Sequence, residues 1–257
     1  LGTSTYITLE AKSYIMPGSS DVCAAKRDTV RCRYAVVCIP AQSLSAVQQT
    51  AFTEQLGDVV IHPAGHGRHP DPNCPTNDHD GMPTVLYFNG KGRNDRWHTE
   101  ISAMEAPPRQ TVLHQHQTPG GGRGDTLFAD MRAAFASLSP AMQRVLEGMD
   151  VVHSFYNYIV PDPDRETQQG LWDPRGLLNR ATGALLPLEV AHPLVRVHDR
   201  AGSKALYLSD PRHSFGSRFG GWSREESLPL WDYLMKIATH HRNVYRHSWT
   251  EGDGMCC

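Results

Sequence analysis

The chain is broken into short apolar runs far more often than it is organised into long periodic ones. Eighteen prolines and 22 glycines are spread over 257 residues; proline ends a strand or confines it to an edge, and glycine marks turns and bulges. Between these breaks lie segments of strand-like composition: Val30 to Ile39, Asp58 to His62, Pro83 to Asn89, Arg109 to His116, Asp150 to Phe155, Leu194 to His198, Lys204 to Ser209 and Asn243 to Trp249. Helical patterns do not follow them one for one, which argues against the regular strand-helix alternation of a parallel sheet. A β-sandwich or barrel remains. The sequence therefore predicts a mainly β chain with flanking helices.

The helices carry local signatures. Ser45 with Gln48 makes a capping box, Val47, Ala51, Phe52 and Leu56 give an apolar face, and Gly57 stops the helix. A second helix is expected from Leu127 to Ser137, with Asp125 or Thr126 as its cap. A third starts at Ser139, takes Pro140 at its first position and ends near Gly148. The last is expected from about Ser223 or Ser227 to His240, with Leu230, Trp231, Leu234, Met235, Ile237 and Ala238 buried and Pro229 in its first turn. Two polar stretches, Pro63 to Met82 and Tyr158 to Ala191, are long and irregular, and the second has the length of a functional lid.

Composition bounds the function. The chain is long enough for one sizeable core, so residues 1–257 are read as a single domain. Its 25 basic and 27 acidic residues leave a net charge of −2 without a block of one sign. A nucleic-acid or anionic-membrane partner thus has no electrostatic footprint, and a small molecule is the expected partner. No run of eighteen apolar residues is present. Homo-oligomerisation is left open. The six cysteines, Cys23, Cys32, Cys38, Cys74, Cys256 and Cys257, follow no framework spacing, which favours a reducing intracellular or cytoplasmic setting. The start at Leu1 reads as cut or processed.

Chemistry concentrates at Trp97-His98-Thr99-Glu100. On an extended segment, His98 and Glu100 project to one side while Thr99 points away. One imidazole and one carboxylate are two thirds of the 2-His-1-carboxylate facial triad that binds non-heme Fe(II) and keeps positions open. After the pair come Ala106-Pro107-Pro108, the Thr111-Val112-Leu113 run and the turn Gly120-Gly121-Gly122-Arg123-Gly124-Asp125-Thr126. Phe52 to Gly57 with His62-Pro63 precedes them. His192-Pro193-Leu194-Val195-Arg196-Val197-His198 with Gly202 and Ala205-Leu206-Tyr207 follows, and Trp249 with Gly252-Asp253 comes last.

In this order the segments resemble the taurine dioxygenase and dichlorophenoxyacetate dioxygenase family (TauD/TfdA), which are Fe(II)- and 2-oxoglutarate-dependent oxygenases. The resemblance implies a double-stranded β-helix, or jelly roll, with the metal between two sheets. It implies that His98 and Glu100 bind Fe(II), glutamate replacing the more usual aspartate as in clavaminate synthase-like members. It also implies that the Thr126 hydroxyl hydrogen-bonds a carboxylate of 2-oxoglutarate, and that O2 is consumed with release of succinate and CO2 as a small organic substrate is hydroxylated. Asn94, Trp97 and Phe155 occupy positions that line the substrate pocket in the family or else pack in the core. His192, His198 and His247 read as structural histidines.

The departure lies at the end. The family's Gly-Asp turn introduces a strand carrying a distal histidine ligand and an arginine for 2-oxoglutarate, whereas Gly252-Asp253 is followed here by Gly254-Met255-Cys256-Cys257. The domain is therefore expected to be C-terminally incomplete, with little or no oxygenase turnover in this form. Two other functions compete: a catalytically inactive jelly-roll binding module, and a zinc-supported interaction protein using His66, His69, Cys74 and His79, whose spacing fits no standard ligand pattern.

Overall fold

A computed structural model of the protein describes residues 35–60, 96–119, 123–154, 189–198, 202–211 and 217–257, with short pieces at 5–8, 13–15, 72–76, 84–85, 172–173, 176–178 and 185–187. The chain is mostly strands with a few helices. The strands are β1 (Thr5–Thr8), β2 (Ser13–Ile15), β3 (Val36–Ile39), β4 (Val112–His114), β5 (Thr126–Asp130), β6 (Asp150–Ser154), β7 (Trp172–Asp173), β8 (Gly176–Leu178), β9 (Leu185–Leu186), β10 (Glu189–Pro193), β11 (Val195–Val197), β12 (Lys204–Leu206), β13 (Ser217–Phe219), β14 (Val244–His247) and β15 (Gly254–Cys256). The α-helices among the described residues are α1 (Ala46–Glu54), α2 (Met131–Ala136), α3 (Pro140–Glu147) and α4 (Arg224–Ala238).

Two sheets matter most for the site. One has the order β2-β3-β15-β4, with β15 antiparallel to both β3 and β4; the other has the order β1-β5-β14. Pairings between elements more than a hundred residues apart build both. Strand β5 separates two parts of the core by simple alternation. Phe128 faces Val36, Cys38 and Met255, whereas Ala129 joins Met131, Leu206, Trp231 and Leu234 in the larger cluster. Trp231, Leu206, Leu208 and Leu234 are fully buried, and each such side chain contributes roughly 1.5–3 kcal/mol through the apolar area it removes from water.

Three helix starts follow from local chemistry. The Ser45–Gln48 capping box is complete in both directions, Ser139 accepts from the Met142 amide with Pro140 at the first turn, and Ser223 forms a second capping box with Glu226. The helix expected from Leu127 begins only at Met131. Residues 126–130 are strand, because β1 and β14 supply ladder partners on both sides. Asp130 is the cap, accepting from the Arg132 and Ala133 amides at 3.0 and 2.9 Å. Asp125 and Thr126 are not caps. Residues 58–60, read as the start of a strand, form none. Pro229 lies inside α4 beyond its first turn.

Candidate metal and co-substrate site

The stretch 97–100 is not itself a strand. It is held against the residues after β12: the Asp210 amide donates to the Trp97 carbonyl at 2.8 Å, the Thr99 amide donates to Ser209 Oγ at 2.9 Å, and the Thr99 hydroxyl donates to the Leu208 carbonyl at 3.4 Å. Thr99 is thereby turned onto its scaffold and its neighbours on either side are presented together. His98 Nε2 lies 3.5 Å from Glu100 Oε2. The pairing anticipated from the spacing is present, although side-chain alternation along a strand is not its cause.

The environment of His98 fixes its chemistry. The ring is 1 % exposed and its Nδ1 lies 2.9 Å from the Arg96 carbonyl. A carbonyl oxygen only accepts, so Nδ1 is the donor there and Nε2 is the ring nitrogen turned toward Glu100. A metal-ligating histidine is held in the same way, with its second ring nitrogen donating to a carbonyl. Glu100 is 29 % exposed at its side chain, which leaves the oxygen side of the pair open to solvent. A buried imidazole nitrogen beside a reachable carboxylate oxygen is a donor pair that suits Fe(II). The following residue, Ile101, is buried with φ 44°, a left-handed conformation that a β-branched residue adopts only when its surroundings enforce it.

Strand β15 runs toward this pair. Its last residues are clamped on Thr111, whose amide donates to the Cys257 carbonyl while the Cys257 amide donates to the Thr111 carbonyl, at 2.6 and 2.9 Å. Burial, then the neighbouring Cys256, then the Glu100 carboxylate push the Cys257 thiol above the ordinary thiol range. Glu100 and the end of β15 are thus electrostatic neighbours.

Thr126 is buried at the start of β5, opposite His247 in the ladder, and its hydroxyl oxygen accepts the Trp249 indole N–H at 2.8 Å. Its own hydroxyl hydrogen remains a donor. Beside it, Asp125 accepts from Arg246 Nε and from Ser248 Oγ. The Arg246 hydrogen bond holds the Asp125 carboxyl below the usual carboxylate range. Trp97 packs against the larger core cluster. Asn94 and Phe155 lie outside the described residues, as do His66, His69 and His79 of the loop considered for zinc. His192 donates from Nε2 to the carbonyls of Ser102 and Met104, and burial lowers its pKa, in keeping with a structural role.

The family model for taurine catabolism dioxygenases TauD, TfdA, matches residues 15–256. The chain belongs to this family. Its members are dioxygenases that depend on Fe(II), 2-oxoglutarate and O2. The chain is 30 % identical over 243 residues to an α-ketoglutarate-dependent sulfate ester dioxygenase of Pseudomonas putida, covering 91 % of this chain and 73 % of that protein. An alkylsulfatase of Acinetobacter baylyi is 29 % identical over 215 residues, which are 82 % of this chain and 61 % of its own length. A taurine dioxygenase from Burkholderia xenovorans superposes with a TM-score of 0.66 at 25 % identity, over 96 % of this chain and 77 % of that one. Among the described residues, the three-donor group that the sequence reading missed is Cys38, His247 and Asp253. His247 and Asp253 are six residues apart, but Cys38 is 209 residues from His247, and no spacing rule could have joined it to them.

Proposed function

We propose that this TauD/TfdA chain uses His98 and Glu100 as protein donors for Fe(II) in a 2-oxoglutarate-dependent dioxygenase, within a jelly-roll domain, and that its substrate is a small organic anion of the sulfate-ester kind. The observation that carries the assignment is the 3.5 Å approach of His98 Nε2 and Glu100 Oε2, with Nδ1 tied to the Arg96 carbonyl. The substrate class rests on the relatives named above.

Bound iron and 2-oxoglutarate supply the oxidant: one atom of O2 enters the substrate, the other ends in succinate, and CO2 leaves. The chain's own residues orient these partners. Arg96 and Ser209 hold the two donors in place through the backbone, and Thr126 offers a hydroxyl hydrogen to a 2-oxoglutarate carboxylate at no cost of burying another charge. Family members carry a further histidine and an arginine after the strand that β15 matches. The test joins binding and turnover. Fe(II) affinity is measured for the wild type, His98→Ala and Glu100→Gln, and succinate formation with Fe(II) and ascorbate is compared for the chain with and without a family-like terminal strand. Loss of Fe(II) binding in both variants supports the assignment; unchanged binding in a folded variant removes that residue from the site.

A further inference from the structure

Besides the His98–Glu100 pair, three further side chains converge on one buried point. Cys38 comes from β3, His247 from the end of β14 and Asp253 from the turn before β15; 209 residues separate the first two. They are 3 %, 7 % and 4 % exposed. His247 Nε2 lies 4.0 Å from Cys38 Sγ and 3.1 Å from Asp253 Oδ2, and the three ligand atoms all fall within 4.8 Å of one another.

The geometry separates two uses of such a set. A Cys-His-Asp nucleophile relay places the thiol on one ring nitrogen and the carboxylate on the other, so that the ring passes a proton between them. Here the thiol and the carboxylate both face Nε2, and Nδ1 is engaged by the Tyr245 hydroxyl at 3.1 Å. No proton can be relayed through the ring in that arrangement. Three donors aimed at one point, with the second ring nitrogen fixed by a neighbour, is instead the pattern of a metal ligand set.

We propose that Cys38, His247 and Asp253 form a second metal site, for a zinc-class divalent cation, that ties β3 to the turn delivering β15. A tetrahedral zinc ion, with Zn–S about 2.3 Å and Zn–N about 2.0 Å, sets its ligand atoms roughly 3.2–3.7 Å apart. The observed 3.1 and 4.0 Å bracket that range, and the Cys38–Asp253 pair lies within 4.8 Å. One thiolate, one carboxylate and a dication sum to zero, which makes the buried ensemble neutral. Mixed S, N and O donors favour zinc over magnesium or calcium, and a single water completes the tetrahedron. Without metal, burial and then the Asp253 charge push the Cys38 thiol up to about 12. A dication at this point offsets both causes, so loading releases the thiol proton.

The site is independent of the iron reading and is tested without activity. The full chain, stripped by chelator, is titrated with Co(II) and then with Zn(II), following the thiolate-to-cobalt absorption and the melting temperature. One equivalent of Co(II) should develop the band, Zn(II) should displace it, and Zn(II) should raise the melting temperature. Cys38→Ser should abolish the band, Asp253→Asn should weaken Co(II) binding at least about tenfold, and His98→Ala should leave it intact. Because a Cys38 variant could fail to fold, a variant with the other five cysteines changed to serine provides the converse, and it should keep the band. Absence of the band in the wild type, its persistence in Cys38→Ser, or its loss from the folded five-serine variant would overturn the proposal.

Discussion

Gly252 and Gln42 lock the turn before β15 against the chain that leaves β3. The Gln42 amide donates to the Gly252 carbonyl at 2.6 Å, and a Cβ on Gly252 would lie 2.7 Å from the Gln42 carbonyl oxygen. Gly252 also has φ 84°. Gly252→Ala therefore combines left-handed strain with a backbone clash that no side-chain rotation relieves. It should destabilise the fold by about 2–4 kcal/mol, read as a lower midpoint in chemical denaturation. A midpoint unchanged within error would mean that the turn relaxes freely and that the contact does not fix β15.

Helix α2 provides a test of which acidic residue caps it. Asp130 accepts two amide hydrogens of the first turn, so Asp130→Ala should cost about 1 kcal/mol. Asp130→Asn, which keeps a capping oxygen, should lose much less. Thermal melts of both variants check this, and equal losses would show that a capping oxygen is not what Asp130 contributes.

The Asp125–Arg246 pair sets an acid limb. With its folded pKa held below the unfolded value of 3.8 by the Arg246 hydrogen bond, Asp125 contributes stability that is present above the unfolded pKa. That stability is lost as pH falls through the folded pKa. Stability measured from pH 5 downward should fall less steeply in Asp125→Asn than in the wild type. Parallel curves would show that other carboxylates carry the acid limb.

What the sequence displayed, and what it hid, follows the range of the interactions. Ser45–Gln48 and Ser139–Pro140 act within four residues, and both helix starts could be read from them; the last start was left between Ser223 and Ser227, and the Ser223–Glu226 capping box decides it. Residues 127–130 could not be assigned the same way. Leu127, Phe128 and Ala129 suit either helix or strand, and β14, more than a hundred residues later, decides for strand by supplying hydrogen-bond partners. His98 and Glu100 were legible as a pair for a reason the structure changes: Ser209 and Leu208 hold Thr99 aside, and no ladder does. Cys38 was invisible as a partner of His247 and Asp253 because it stands on β3 of one sheet and His247 on β14 of the other, and only the packed fold brings them together.

Thr126 separates co-substrate binding from packing. Its oxygen accepts from Trp249 Nε1, so Thr126→Val leaves a half-buried indole N–H without its acceptor, and Trp249→Phe removes the donor from the same bond. If the hydroxyl serves only that bond, both variants should lose about 1–2 kcal/mol of stability and neither should change 2-oxoglutarate binding. If it also donates to a 2-oxoglutarate carboxylate, Thr126→Val alone should weaken co-substrate binding by roughly tenfold or more, the worth of one hydrogen bond to a charged group. Thr126→Ser should restore it. We expect the second pattern, read by calorimetric titration of 2-oxoglutarate into metal-loaded protein alongside denaturation curves. Equal co-substrate affinity in Thr126→Val and Trp249→Phe would assign Thr126 to packing alone.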